Sequence, residues 1–139
     1  MISWCLGVLV VKAFAGRDCC CDVHNPPYHV HAVLYCELYA GVSVRDRRVV
    51  ERLERDFGSA RRILVPNLND WTQAGKVLAR LAAAYGYERI GQARLSNDAL
   101  IAMSAARQGI TVITAHERDF ARLAQFRPFL WEVRSARTT

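Results

Sequence analysis

Short runs of β-branched and apolar residues alternate with amphipathic helical segments along this chain. Strands that are separated by helices are joined by crossover connections, which place neighbouring strands parallel and pack helices against both faces of the sheet. The alternation therefore predicts an α/β fold, an α/β/α sandwich with a central, mostly parallel sheet. The predicted strands are residues 6–11, 62–65, 110–114 and 129–133, and the predicted helices are residues 30–41, 47–57, 71–85, 97–107 and 119–124.

Capping residues predict where several of these helices begin and end. Asn69 or Asp70 is expected to cap the helix 71–85, because a short polar side chain accepts a hydrogen bond from the free N–H groups of the first turn. Ser96 is expected to cap the next helix for the same reason. Gly109 is expected to end that helix, since glycine adopts the left-handed conformation common after a last turn.

The composition is that of a globular chain with a net positive charge. Hydrophobic residues make up 52% and charged residues 23% of the 139 residues, which excludes a disordered chain. Lys and Arg number 19 against 13 Asp and Glu, and the resulting charge of +6 favours a polyanion as partner or substrate. This length favours a single domain, residues 1–139.

The number and spacing of the cysteines indicate a reducing cellular compartment. Three of the 5 cysteines are consecutive, which makes a poor disulfide framework because adjacent cysteines rarely meet the geometry of a bridge. No uncharged stretch approaches the roughly 18 to 20 residues that a membrane-spanning helix needs. The apolar segment 1–11 lacks the basic start of a secretory signal. A reduced, cytoplasmic protein that does not enter a membrane is expected.

Three carboxylates stand out by their position. Asp98 is expected in the first turn of its helix and Asp119 follows the strand 110–114, so both are expected near the carboxyl edge of a parallel sheet, where sites form. Glu37 interrupts an apolar segment, and such a charge is rarely buried unless it is paired or binds a metal. Converging carboxylates need a cation to offset their repulsion, so the set predicts the Mg²⁺ or Mn²⁺ site of a phosphodiester hydrolase.

Each of these acids also has a purely structural interpretation. Asp98 would interact favourably with the dipole of its own helix if it lay in the first turn. Asp119 would serve as an ordinary turn or cap residue, and Glu37 would lie on the solvent side of its helix. The residue pattern alone leaves both interpretations open.

Three segments of the chain resemble the ordered motifs of the PIN-domain ribonucleases, most closely the VapC-type toxins of toxin–antitoxin pairs. Residues 32–41, 96–102 and 112–120 read AVLYCELYAG, SNDALIA and VITAHERDF. The resemblance extends from about residue 30 to residue 139. It implies an acidic pocket holding Mg²⁺ or Mn²⁺, cleavage of RNA by a metal-activated water, a homodimer, and inhibition by a cognate antitoxin protein.

The resemblance also assigns roles to single residues. Glu37 matches the second acid of the family and Asp98 matches the third. The fourth position, an acid or Asn shortly after a strand, falls on His116, and Asp119 is a nearby substitute. A lone loop histidine is more often a solvated surface residue, and this interpretation is favoured for His116. The expected catalytic and metal-binding set is therefore Glu37, Asp98 and Asp119.

Residues 1–29 depart from the pattern of the family. The position of the first acid falls on Cys5, and a thiol is a poor ligand for a hard cation. Asp18 and Asp22 are alternative acids within a segment predicted to be a loop. The loss predicts weaker metal binding and leaves open a catalytically impaired protein that only binds antitoxin or RNA. A further hypothesis is that this Cys-rich segment is not the original start of the domain, through a shifted reading frame, a misassigned start or sequence decay. The upstream DNA, read in all three frames, would test it.

A zinc-binding module is the alternative from a different class. The first 36 residues supply soft ligands, namely Cys19, Cys20, Cys21, His24, His29, His31 and Cys36. Their spacing lacks the two Cys pairs of the common zinc motifs, so the signal is weak. A zinc site would release zinc on thiol modification, whereas a PIN-type site would respond to Mg²⁺ or Mn²⁺ and to substitution of Asp98.

Overall fold

Five strands and five helices are present in the computed structural model, which describes residues 8–13, 28–86 and 93–134. The strands are β1 (Val8–Ala13), β2 (Tyr28–His31), β3 (Ile63–Leu64), β4 (Ile110–Thr114) and β5 (Trp131–Val133). The helices are α1 (Ala32–Gly41), α2 (Arg47–Ser59), α3 (Leu68–Tyr85), α4 (Ala93–Gln108) and α5 (Glu117–Phe126). None of the described helices is long and apolar enough to span a membrane.

The strands form one sheet in the order β3-β2-β1-β4-β5. β2 is parallel to β3 and β4 is parallel to β5, while β1 is antiparallel to both of its neighbours. Four strands therefore run in one direction and β1 alone is reversed, which confirms the predicted α/β class and mostly parallel sheet. Val11 of β1 is paired with His29 on one side and with Val112 on the other. The carboxyl ends of β2 and β4 consequently lie at the same edge of the sheet.

Several predicted boundaries were wrong by a few residues. Residues 28–31 form β2, where a loop and the start of a helix were predicted, because they pair with β1 and β3 and α1 begins only at Ala32. β1 and α5 are also displaced from the predicted 6–11 and 119–124. These shifts reflect pairing and packing partners that are distant in the sequence.

The caps of α3 and α4 also differ from the predictions. Asn67 caps α3 in a reciprocal capping box, in which its side chain accepts from the N–H of Asp70 at 3.0 Å while the Asp70 carboxylate accepts from the N–H of Asn67 at 2.9 Å. Asp70 therefore takes part in the cap from the third helical position. Ser96 lies inside α4, which begins at Ala93. Gly109 follows α4 with a φ of +64°, as predicted.

The core is built around α4. Eight consecutive residues of this helix are buried: Asp98, Ala99, Leu100, Ile101, Ala102, Met103, Ser104 and Ala105. Such a helix is surrounded by other elements, and α4 packs against α3, β4 and α5. Leu81 and Phe120 are buried against it in the same cluster. On α3, Ala74, Leu81 and Ala82 are buried, whereas Trp71 near its start is 58% exposed.

A buried ion pair connects α3 with α4. The Arg107 Nε donates to both carboxylate oxygens of Asp70 at 2.9 and 3.0 Å, and its Nη2 donates to the carbonyl of Val65 at 3.3 Å. The Asp70 side chain is 1% exposed and that of Arg107 28%. Burial acts to raise the pKa of Asp70, but hydrogen bonds from Arg107 and from the Asn67 backbone outweigh it and hold that pKa below its usual range.

Removing the cation from this pair is expected to destabilise the fold strongly. Arg107→Met leaves the Asp70 carboxylate buried without its counter-charge, and we expect the free energy of unfolding to fall by about 2–3 kcal/mol. Arg134→Met is the matched control, because Arg134 pairs with Glu132 at 3.3 Å on the exposed surface. That change is expected to cost less than about 0.5 kcal/mol. Urea denaturation measures both, and equal losses would contradict a structural role for the buried pair.

His31 is a buried histidine at the carboxyl end of β2. It is fully inaccessible to solvent, and its Nδ1 accepts a hydrogen bond from the N–H of Val33 at 3.2 Å, which caps α1. Within the described part of the chain its Nε2 has no hydrogen-bond partner. Burial lowers the pKa of His31 to about 4, although the nearby Asp70 carboxylate acts in the opposite direction. The side chain is therefore neutral at physiological pH.

This pKa makes the fold sensitive to acid. Because the folded-state pKa lies below that of the unfolded chain, the contribution of neutral His31 is complete above about pH 6.5 and is lost as the pH falls towards about 4. We expect it to account for about 2–3 kcal/mol of the loss in unfolding free energy between about pH 7 and about pH 4.5. His31→Asn keeps a capping acceptor but does not titrate, so it should have a flatter pH profile. Equal profiles in urea denaturation would contradict this assignment.

Candidate functional site

The shared carboxyl edge of β2 and β4 is where the sequence-predicted acids are placed. β2 leads directly into α1, which carries Glu37, and β4 leads into the segment of His116 and α5, which carries Asp119. α4 precedes β4 and carries Asp98 near its N-terminal end. The topology therefore brings three separate segments to one end of the sheet, as expected for an α/β fold.

Asp98 and His116 lie side by side. The Oδ2 atom of Asp98 is 3.4 Å from the Nδ1 atom of His116, and the two side chains are 5% and 12% exposed. The backbone N–H of His116 donates to the hydroxyl oxygen of buried Thr114 at 2.9 Å. This bond determines how the chain leaves β4, and it holds His116 next to α4.

Glu37 is held close to the same helix by Asn97. The Asn97 Nδ2 donates to the Glu37 Oε1 at 2.8 Å, a contact between residues 60 positions apart that joins α1 to α4. Asn97 directly precedes Asp98 in the sequence. The two predicted acids Glu37 and Asp98 are thus linked through neighbouring residues of α4, and Glu37 contacts a protein group instead of extending into solvent.

Asp119 is less closely connected to this arrangement. It is half-buried in the first turn of α5, three residues after His116. Across residues 28–86 and 95–134, no hydrogen bond or ion pair joins Asp119 to Asp98 or Glu37. In the same ranges no three His, Cys, Asp or Glu side chains form a group able to hold a metal ion.

The donors that are present nevertheless fit partial coordination of a divalent ion. Mg²⁺ is usually bound by one or two carboxylates together with waters and substrate phosphates, and does not need a complete protein cage. Asp98 supplies one buried carboxylate, His116 places a nitrogen donor beside it, and Glu37 is fixed nearby by Asn97. Two protein ligands, Asp98 and His116, therefore lie side by side at the end of the sheet.

Two local predictions were wrong at this site. Asp98 is the sixth residue of α4 and not in its first turn, since the helix begins at Ala93, so a role as a simple dipole partner is not supported. His116 was expected to be a solvated surface residue, yet its side chain is mostly buried against Asp98. The sequence analysis did not single out Asn97 and Thr114 as site residues. The signals that could have indicated them are the position of Asn97 directly before Asp98 and the position of Thr114 at the end of β4.

Several predicted residues of the first part of the chain lie outside the described residues. These are Cys5, at the position of the missing first acid, the alternative acids Asp18 and Asp22, and the zinc candidates Cys19, Cys20, Cys21 and His24. Of the remaining zinc candidates, His31 is buried at the end of β2 while Cys36 is exposed on α1.

Comparison with known protein families agrees with this arrangement of strands, helices and acids. The family model described as PIN domain matches residues 20–125, well over half of the chain. The chain belongs to the PIN domain family. Searches of curated proteins and of solved structures find no significant match.

Membership in this family indicates the general function of the site. The PIN domain is a nuclease-type fold, and its members are commonly ribonucleases that depend on divalent metal ions. The matched region contains Glu37, Asp98, His116 and Asp119. The end of the sheet where Asp98 and His116 meet is therefore the candidate active site of this PIN domain.

The contact between Glu37 and Asn97 is expected to stabilise the candidate site. We expect a coupling free energy of about 1 kcal/mol between Glu37→Ala and Asn97→Ala, because each change removes one partner of a bond between a carboxylate and a half-buried amide. The cycle is read from urea denaturation of both single variants and the double variant. A matched cycle on the exposed bond from Tyr39 to Glu54, of 2.6 Å, serves as reference. A coupling near zero for the first pair would show that Glu37 is not fixed to α4.

Proposed function

We propose that this PIN domain is a metal-dependent ribonuclease that acts as the toxin of a type II toxin–antitoxin system in the cytoplasm. The observation that carries the proposal is the buried pair of Asp98 and His116 at the carboxyl edge of the sheet, inside the region matched as a PIN domain. The VapC-like sequence motifs support the toxin assignment. The net charge of +6 supports a polyanionic substrate such as RNA.

Asp98, Glu37 and Asp119 are the proposed metal-binding and catalytic carboxylates. A bound Mg²⁺ or Mn²⁺ would stabilise charge on the phosphate and lower the pKa of its water. Asp98 lies on the buried helix α4, and the packing of this helix restrains the position of its carboxylate relative to β4. Asn97 holds Glu37 against the same helix, so the distance between these two acids depends on one bond.

Two exposed apolar patches on the helices support the proposal that this domain binds protein partners. Leu68 and Trp71 lie one turn apart on α3 next to the edge strand β3, and both are largely exposed. Val49 and Leu53 form a second patch at i, i+4 spacing on α2. Exposed apolar groups of this kind mark interaction surfaces. They support the proposed homodimer and the proposed binding of an antitoxin protein.

A protein that binds antitoxin or RNA without cleaving RNA is the second candidate. The observation in its favour is that the described ranges contain no group of three metal-ligating side chains. Electrostatic binding of RNA needs no metal ligand set. The two candidates share one fold and differ only in whether phosphodiester bonds are broken.

The deciding experiment is cleavage of a structured RNA in the presence of Mn²⁺. We expect the wild-type protein to cut the RNA and Asp98→Asn to cut at least about a hundredfold more slowly, because the amide removes the charge that holds the ion. Asp56→Asn, on the exposed surface of α2, is the control and should retain full activity.

Circular dichroism of each variant separates loss of fold from loss of chemistry. Cleavage that persists in folded Asp98→Asn would contradict the proposed role of this residue. Absence of cleavage by the folded wild-type protein, together with retained RNA binding in a gel-shift assay, would instead establish the binding-only candidate.

A further inference from the structure

His116 lies beside Asp98 at the candidate site, and its side chain supplies a nitrogen donor where the resemblance to the family implies an acid or Asn. We infer that His116 is a metal ligand together with Asp98, and that its nitrogen makes the site select Mn²⁺ and other first-row transition ions over Mg²⁺. The inference rests on the proposed metal-dependent function and adds the identity of one ligand and the preference among ions.

The distance between the two side chains suits a shared ion. Bonds from a divalent ion to imidazole nitrogen and carboxylate oxygen are about 2.0–2.2 Å, so two neighbouring ligand atoms stand about 3.0 Å apart in octahedral and about 3.4 Å apart in tetrahedral coordination. The Asp98 Oδ2 and the His116 Nδ1 are 3.4 Å apart. An ion can therefore be bound by both atoms with little movement of either side chain.

The burial of both side chains indicates that they are preorganised before an ion binds. Asp98 follows a polar position of α4 and begins the buried stretch of that helix, while the His116 backbone is bonded to Thr114. A surface histidine would lose side-chain entropy on binding a metal, whereas a histidine already held at 12% exposure has lost most of it. Waters and substrate phosphates would complete the coordination, as they usually do for ions bound by one or two carboxylates.

A nitrogen ligand discriminates between the two ions that the family uses. Mg²⁺ is hard, demands oxygen ligands at near-ideal octahedral geometry and gives up its waters reluctantly. Divalent transition ions accept imidazole nitrogen, and their affinity rises from Mn²⁺ through Co²⁺ to later members of the series. Replacing an oxygen ligand by His116 therefore weakens Mg²⁺ binding more than Mn²⁺ binding.

The direct test is pulsed electron paramagnetic resonance of the full-length protein loaded with Mn²⁺. We expect the electron spin echo envelope to carry the modulation of a directly bound ¹⁴N nucleus, which only a nitrogen ligand produces. Mn²⁺ is the suitable probe because thiolates select softer ions, so the Cys-rich first part of the chain does not compete for it. Absence of ¹⁴N modulation, or absence of bound Mn²⁺, would overturn the inference.

Competition between ions tests the selectivity. Free Mn²⁺ is followed by its solution resonance signal as Mg²⁺ is added to the Mn²⁺-loaded protein. In His116→Asp, which restores an oxygen ligand, we expect the ¹⁴N modulation to vanish and the preference for Mn²⁺ over Mg²⁺ to fall by about tenfold, within the usual effect of a changed metal-site partner. Glu117→Gln, an exposed neighbour on α5, is the matched control and should leave both readouts unchanged.

The outcomes separate this inference from the proposed function. Metal-dependent RNA cleavage without ¹⁴N modulation would overturn the ligand role of His116 and leave the ribonuclease function intact. Modulation without any RNA cleavage would support the ligand role and contradict the ribonuclease function. If His116→Asp does not fold, His116→Asn provides the same comparison, and the wild-type spectrum alone still decides whether nitrogen is bound.

Discussion

The burial of α4 on all sides is the constraint on which the rest of the structure depends. From Ala99 to Ala105 every residue is inaccessible or nearly so, which requires α3, β4 and α5 to pack around this helix. The charged residues near this stretch then lie at its two ends. Asp98 stands at one end, beside the candidate site, and Arg107 at the other, in the ion pair with Asp70. One packed helix therefore positions both the site and the main buried charge pair.

The candidate site and the fold impose different demands on their charged groups. Asp70 has its counter-charge within the protein, because the Arg107 Nε donates to both of its carboxylate oxygens and holds its pKa below the usual range. At the other end of α4, Asp98 faces a histidine, whose charge depends on its surroundings, so the balance there can be altered by a bound ion. The first pair stabilises the fold, and we propose that the second pair serves the chemistry of the candidate site.

Much of the architecture and the set of acids could be predicted from residue patterns, because apolar periodicity and motif order are properties of short segments. The mostly parallel sheet and the family were predicted correctly from the alternation of elements and from three short motifs. Helix starts were predicted less well, as for α3, where the reciprocal bonds between Asn67 and Asp70 decide the first turn. Asp70 was expected at the cap itself, since single-residue preferences do not distinguish a cap from its partner three positions later.

The sequence by itself determined the class of fold, the amphipathic helices, and the identity of the residues available at the carboxyl edge of the sheet. Only the tertiary structure decided that β1 is antiparallel to the other four strands. It also decided that Glu37 accepts a hydrogen bond from Asn97, 60 positions away, and that His116 is buried against Asp98. The physical reason is that periodicity encodes which face of a segment is apolar, whereas the burial of a polar side chain depends on what a distant segment places beside it.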